Sequence, residues 1–481
     1  MSLLLATAPI VFSSVLILLW RQSALRAGLA GLLLTVLIIC FRADFKLPLT
    51  EAITAIGEGL FNTWNVAYVL LGGVLFYRVL NAGGALEVIA AAVIKLIPDE
   101  IHRLFAIVFG VSVFFESATG FGVGILVAAP LFIALGYKPV QAAVIALLGQ
   151  CAVPWGALAI GTVIGSELSG VPIERLGELA AFIGFPFIFI CGAAAVSVAG
   201  QRWSVRHWVW LFFYVSLLTL LLWLLSVSLS VELAGCLAGM AVVFVAAVIN
   251  WRQRDTGNTA GLGFSLLPFA VLMIFLLLTR LYSPMRDFLQ SIMLHIGDHS
   301  FTPFFHVGFW LLVAALVGLG VLPKARQTFA LLTKTAVVQW FFASLAVGGF
   351  LLFGQLMTAS GMTALMAQSV AAIVGNYYSM MVPVLGGLGG FLTASNTSSN
   401  ALFMNFQLSA AVQVDIPVDV AAAVQNAAGS NTTLASPGRV VFAASVAGYP
   451  GAEADLLRRV LPVALAGVAS AVIMSVMLSQ W

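Results

Sequence analysis

Of the chain's 481 residues, 62% are hydrophobic and 8% are charged, with a net charge of +3. A water-soluble domain carries roughly 25% charged residues, so this apolar excess has no soluble core to fill. The chain is read as an all-α polytopic membrane protein. Its 21 Lys and Arg residues are scattered through loops, which argues against a nucleic-acid partner. No GxxxxGK[ST] loop is present for direct nucleotide-driven pumping.

About 20 apolar helical residues cross a hydrocarbon layer about 30 Å thick. In chain order, such runs cover Ser2–Trp20, Ala27–Phe41, Leu179–Gly200, Trp208–Leu229, Leu233–Ile249, Ala260–Thr279, Phe304–Leu322, Thr335–Phe353 and Val460–Leu478. Further apolar helices surround 60–165 and 362–450, where Gly, Pro and polar residues interrupt them. Together they predict about 11–14 transmembrane segments in one domain. The first run lacks a basic flank and a small-residue cleavage site, so it is read as a retained helix. Cys40, Cys151, Cys191 and Cys236 lie in apolar runs without paired spacing, which points to packing rather than disulfides or metal. Arg21 and Arg26, Arg202 and Arg206, Arg252 and Arg254, and Lys324, Arg326 and Lys334 mark connections expected in the cytoplasm. Ser228–Glu232 has no Lys or Arg, and in 280–303 Arg280 and Arg286 are set against Asp287 and Asp298. The N-terminus is therefore expected outside.

The runs fall into two kinds. Those from 179 to 322 are continuous and scaffold-like, whereas 104–165 and 378–440 hold polar, Gly-rich breaks: FFESATGFGVG at 114–124, GQCAVPWG at 149–156, GGLGGFLTASNTSSNALF at 386–403 and QNAAGSNTTLASPG at 425–438. Such breaks predict re-entrant hairpins and discontinuous helices, because freed backbone groups survive at membrane depth only where protein or a wet cavity satisfies them. Shifting the first region by 278 positions superposes Ser117 on Ser395, Thr119 on Thr397 and Pro139 on Pro417 without a gap. The two regions are read as repeats, with inversion expected from how transporters are built.

The breaks supply the candidate site. Ser395, Asn396, Thr397, Ser398 and Asn400 offer donors and acceptors without charge, as do Ser430, Asn431, Thr432 and Thr433 one helix later, with Ser117 and Thr119 at the first tip. With half-helix N-termini facing them, these residues suit a carboxylate; their oxygens also suit Na⁺. Arg439 is read either as a bidentate carboxylate clamp or as a snorkelling boundary anchor. Glu116, the single charged residue between Leu104 and Tyr137, is a candidate proton carrier, since an intramembrane carboxylate is costly and by default functional; a capping structural Glu is the alternative. No residue set carries metal-ligand spacing or a nucleophile with its base, so neither a metal, a catalytic residue nor an enzyme activity is assigned.

At FESATGFGVGILVAAPLFIALGYKP (115–139), and from FLTASNTSSNALF through NAAGSNTTLASP (391–437), the chain resembles the L-lactate permease family. The resemblance implies a multi-pass permease of the bacterial cytoplasmic (inner) membrane that imports lactate, glycolate or a related 2-hydroxy acid by proton symport. It implies no cofactor beyond the co-transported ion, H⁺ or alternatively Na⁺. The expected partners are the small carboxylate, membrane lipid and, as an assembly, a homodimer. The competing reading is a Na⁺-coupled carrier of dicarboxylates or inorganic anions.

Overall fold

The computed structural model describes residues 2–20, 22–120, 122–252, 261–296 and 299–479. Arg21, Arg254 and Asp298, assigned above to loops, and Phe121 of the first polar break lie outside the described residues. Helices account for nearly all of the described chain; one antiparallel ribbon, Leu294–Ile296 with His299–Phe301, is the exception among these residues. By length and composition, nine described helices can cross a membrane, or ten with the bent pair Pro139–Leu148 and Val153–Ser169 counted as one span. Shorter apolar helices such as Val123–Ala134 and Tyr378–Thr393 account for the larger number expected from hydropathy.

The repeat is much longer than 104–165 and 378–440. Leu49–Ala82 (34 residues) and Phe329–Ala359 (31) begin 280 positions apart, as do Ile173–Val198 and Glu453–Leu478, each of 26 residues. The first pair is followed by short helices, Ala85–Leu96 and Met362–Val374, each entered through a left-handed glycine, Gly84 at φ 72° and Gly361 at φ 78°. Next comes a re-entrant hairpin in each half. The first is Glu100–Thr119, containing a π-turn at Ala106–Val111, with Val123–Ala134; the second is Tyr378–Thr393 with Asn396–Gln413. Each hairpin leads to a helix broken by a 3₁₀ turn, at Val153–Trp155 and at Thr433–Ala435. Packing follows the same symmetry: Ala24–Phe41 lies on Phe329–Ala359 as Val307–Val321 lies on Leu49–Ala82.

At the tips the ungapped register of 278 slips. Thr119 and Thr393 close the first arms of their hairpins, and both bond back one turn, to Phe115 O at 2.6 Å and Gly389 O at 2.8 Å. They are thus equivalent at a spacing of 274, and the longer second arm of the later hairpin restores 278 at Pro139 and Pro417.

Two hydrogen bonds establish that the repeats are inverted. Gln141, at the start of the first broken helix, donates to Val198 O at 2.8 Å, at the C-terminal end of Ile173–Val198. Asp419, at the start of the second, accepts from Arg175 Nε at 2.9 Å, at that helix's N-terminal end. Those ends are roughly 35 Å apart at 1.5 Å per residue. The two broken helices therefore enter from opposite faces.

The scaffold assignment of 179–322 is redistributed. Ile173–Val198 packs on the second broken helix, and Val231–Ile249 packs on the first hairpin. The wall facing the repeat cores is instead Leu49–Ala82 with Phe329–Ala359. Cys151, Cys191 and Cys236 are buried and Cys40 is exposed, all four as free thiols.

Asp99 illustrates how the termini are tied. Its carboxylate caps the first hairpin arm by accepting from Ile101 N at 3.1 Å and His102 N at 3.2 Å, and it pairs with Arg206 at 2.6 Å. Burial pushes the Asp99 carboxyl up, but the Arg206 guanidinium and the cap bond bring it below the ordinary value. A lowered native value stabilises the fold above the unfolded value, and the stabilisation disappears as pH falls through the native one. Asp99→Ala should lower stability by about 0.5–2 kcal/mol, read as a lower Tm in detergent at neutral pH. The gap to the parent should narrow as pH falls below about 3.9, and Asp99→Asn should fall between the two.

Candidate functional site

The two hairpin tips and the first helix break converge on one cavity. The first arm stops at Gly120 (φ 68°), where an added Cβ would sit 2.7 Å from Cβ of Ala157. That contact requires glycine. Opposite it, Ala157, Leu158 and Ala159 hold left-handed φ values of 41°, 51° and 61°, a conformation costing roughly 1–2 kcal/mol per non-glycine residue. The second tip turns through Ala394 at φ 58° to Ser395, whose hydroxyl caps the next helix by accepting from Ser398 N at 3.2 Å. The cavity between them has a volume of about 230 Å³. Its polar lining comes from Glu116, Thr393, Ser395–Ser398 and Arg439; Val66 and Leu70 on one long helix and Ala343, Ala346 and Val347 on the other close the far side. The backbone N–H groups of Asn396 and Thr397, in the first turn of their helix, have no intrahelical acceptor.

Arg439 organises this space. It donates from Nη2 to Glu116 Oε1 at 3.1 Å, from Nη1 to Gln150 Oε1, and from Nε to Ala394 O at 3.4 Å. Its side chain is 12% exposed and that of Glu116 is 5% exposed. One guanidinium thus touches the second hairpin tip, the first hairpin and the first broken helix. The other carboxylate oxygen, Glu116 Oε2, is buried without a hydrogen-bond partner. Breaking a buried pair of this kind by removing one partner generally costs about 3–5 kcal/mol.

The proposed site residues divide clearly. Glu116, Ser395, Asn396, Thr397, Ser398 and Arg439 line the cavity. Glu116 is not isolated, as its sequence neighbourhood suggested: its partner lies 323 positions away. Arg439 is not a boundary anchor, since its guanidinium is committed inside the protein. The remaining residues are buried outside the cavity lining. Ser117 lies against Gly235, where an added Cβ would be 2.2 Å from its Oγ. Thr119 bonds back within its own arm. Ser430 donates to Asn426 O at 2.9 Å, Thr433 to Ser430 O at 2.8 Å and Thr432 to Gly387 O at 2.6 Å. Asn431 is buried with an unpartnered Nδ2. Asn400 donates to Gly161 O and to Asn426 Oδ1, both at 2.9 Å.

That last contact exposes residues the sequence reading passed over. Asn426 Oδ1 also accepts from Asn396 Nδ2 at 2.7 Å, and Asn426 Nδ2 donates to Thr162 Oγ1 at 3.0 Å. One amide therefore links the second tip, the second broken helix and the first. Gln150 and Asn426 both lie within polar breaks; what singles them out is a partner from the other half of the chain, which no local pattern reveals.

The sequence profile of the L-lactate permease family matches this chain at residues 2–279 and 264–480. The glycolate permease GlcA of Escherichia coli K12 is 24% identical over 95% of this chain and 92% of its own length. The L-lactate permease of the same organism is 24% identical over 86% of this chain and 84% of its own, and that of Bacillus subtilis is 22% identical over 95% and 92%. Among solved structures, the YdaH transporter of Alcanivorax borkumensis aligns with a TM-score of 0.46 at 15% identity, covering 88% of this chain and 87% of that one. With a family profile matched across its whole length and an inverted-repeat membrane fold, the chain belongs to the L-lactate permease family.

Proposed function

We propose that this chain carries a small monocarboxylate, lactate or glycolate in type, into the bacterial cell across the cytoplasmic membrane, with a proton and with its N-terminus outside. The names of its relatives support the substrate class. The cavity supports a small ligand, since about 230 Å³ is below the ~300–1,000 Å³ of pockets for drug-sized molecules. One observation carries the reading: among the described residues, the only formal charges lining this cavity are the paired Glu116 and Arg439.

The pair couples substrate to proton by competition. A substrate carboxylate that takes the Nη2 arm of Arg439 displaces Glu116 from it. Two carboxylates beside one guanidinium in a closed space repel each other, and a proton on Glu116 removes the excess charge. Substrate binding and protonation thus promote one another, as linkage requires. The N–H groups of Asn396 and Thr397 receive the second carboxylate oxygen, and the Thr397 and Ser398 hydroxyls serve the 2-hydroxyl. Cotransport of one monoanion and one proton is electroneutral, so it avoids about 2.3 kcal/mol per charge per 100 mV of membrane potential.

Two substitutions test this reading. Arg439→Lys keeps the charge but loses the planar fork; lactate uptake into proteoliposomes should fall about tenfold or more, equivalent to about 1.4 kcal/mol. Uptake equal to the parent's would show that no fork grips the substrate. Glu116→Gln removes both the competitor and the proton acceptor. It should bind lactate as tightly as the parent or tighter and with little pH dependence, whereas parent binding weakens as pH rises. It should also lose accumulation driven by an imposed proton gradient while keeping counterflow. Unchanged gradient-driven accumulation would shift coupling to Na⁺ or another group.

A further inference from the structure

A second polar cavity, about 260 Å³ in volume, adjoins the first. Ile160 lines both. On the long helix Leu49–Ala82, Val66 and Leu70 face the first cavity while Asn65 and Val69 face the second; on the broken helix, Ala157 and Gly161 face the first and Leu158 the second. The partition is thus one helix face and the left-handed segment 157–159. Beyond it, Arg280 Nη2 pairs with Glu232 Oε1 at 3.0 Å, and the guanidinium lies over the Phe305 ring with its central carbon 4.0 Å from the centroid. Arg280 Nη1 is buried with no hydrogen-bond partner. The Arg280 side chain is 12% exposed, so this is an interior cation with one uncommitted arm. The sequence reading places it in the 280–303 connection.

We infer that the Arg280 cavity is a second carboxylate station, from which the substrate passes across the 157–159 partition to Arg439. The inference rests on the transport reading above. Both cavities hold an arginine paired with a single glutamate oxygen, and at Arg280 the unpartnered Nη1 is open to a carboxylate. The Phe305 ring beneath it holds the guanidinium in place by a cation–π contact, as docking an anion on its free arm requires. The other titratable groups at this cavity are Glu167, whose Oε1 accepts from Asn65 Nδ2 at 3.3 Å, and His306, whose Nδ1 accepts from Gly308 N at 3.2 Å. The lining thus holds two carboxyl groups to one guanidinium, against one to one at the Glu116–Arg439 pair. The station is therefore the weaker of the two, as a site of passage must be, and Glu167 is placed to take the accompanying proton. The segments around it, 229–230, 282–296 and 299–306, belong to the exterior face in the proposed orientation.

The test is sided transport by the full-length protein in oriented proteoliposomes, with lactate applied to either face. Arg280→Lys keeps the tether to Glu232 and loses the second arm. It should raise KM about tenfold from the face carrying these segments, while KM from the other face and equilibrium binding at Arg439 stay within twofold. Phe305→Leu leaves the ion pair in place and frees the guanidinium plane; it should raise KM on the same face by about threefold, and it serves if the Lys variant folds poorly. Equal change from both faces, or none, makes Arg280 a structural tether and overturns the station. Failure of the parent protein to take up lactate or glycolate sinks the transport reading itself, and that result is visible before any variant is made.

Discussion

The constraint on which this architecture depends is the backbone of a broken helix in a layer without water. Each break frees N–H and C=O groups that cost several kcal/mol unless paired, and here the partners come from other segments. Pro383 cannot donate to Ser379 O, and Ser475 on the last long helix donates to it instead at 2.6 Å. Gly386 O accepts from Ser399 at 3.1 Å, and Gly387 O from Thr432 at 2.6 Å. Pro154 O accepts from Thr162 at 2.6 Å, and Gly161 O from Asn400 at 2.9 Å. The hydroxyl and amide clusters therefore first of all tie the hairpin arms and broken helices to one another. A few members left over at the tips face the cavity.

That division explains what could be read from the sequence. Membrane class, two polar cores and the hairpin tips were legible, because hydropathy and Gly-rich breaks are local properties. The division of labour within 395–400 and 430–433 was not, since a buried Ser that satisfies a carbonyl and a Ser that faces a ligand have the same neighbours in sequence. The partner of Glu116 was illegible for the same reason: Arg439 follows the fourth break and is brought to the first only by the fold. The long repeat was hidden because helices of equal length, 26 residues each in Ile173–Val198 and Glu453–Leu478, preserve geometry with little residue identity. At the spacing of 280 only Leu176 with Leu456 and Val196 with Val476 are identical, and the Pro inside each helix, Pro186 and Pro462, falls at a different turn.

Duplication alone would build two equivalent sites, and the structure shows where the halves have diverged. The 3₁₀ turns at Val153–Trp155 and Thr433–Ala435 are 280 positions apart, so the counterpart of Arg439 is Ala159. One half carries the buried cation at that position, and the other carries an alanine held left-handed at φ 61°. Near the tips, where Thr119 matches Thr393, the counterpart of Glu116 is Gly390, whose added Cβ would lie 1.7 Å from Gly429 O. No side chain of any kind fits there. The second half thus uses close backbone approach where the first uses a carboxylate.

This divergence ties chemistry to geometry. A charged residue kept at both symmetric positions would give two arginines facing two glutamates in one closed space, an arrangement costly to desolvate and slow to release an anion. With a single pair, the cavity has one cation to bind the substrate and one carboxylate to compete for it. The strain at Ala157–Ala159 stands against Gly120 of the first tip, in the wall between the two cavities. Left-handed non-glycine residues persist only where their surroundings over-determine them; here Gly120 of the first tip packs on Ala157, and the amide network of Asn396, Asn400 and Asn426 holds Gly161 and Thr162 just beyond. Both tips therefore bear on the helix that separates the cavities, and the contacts that hold the binding site together also hold that partition.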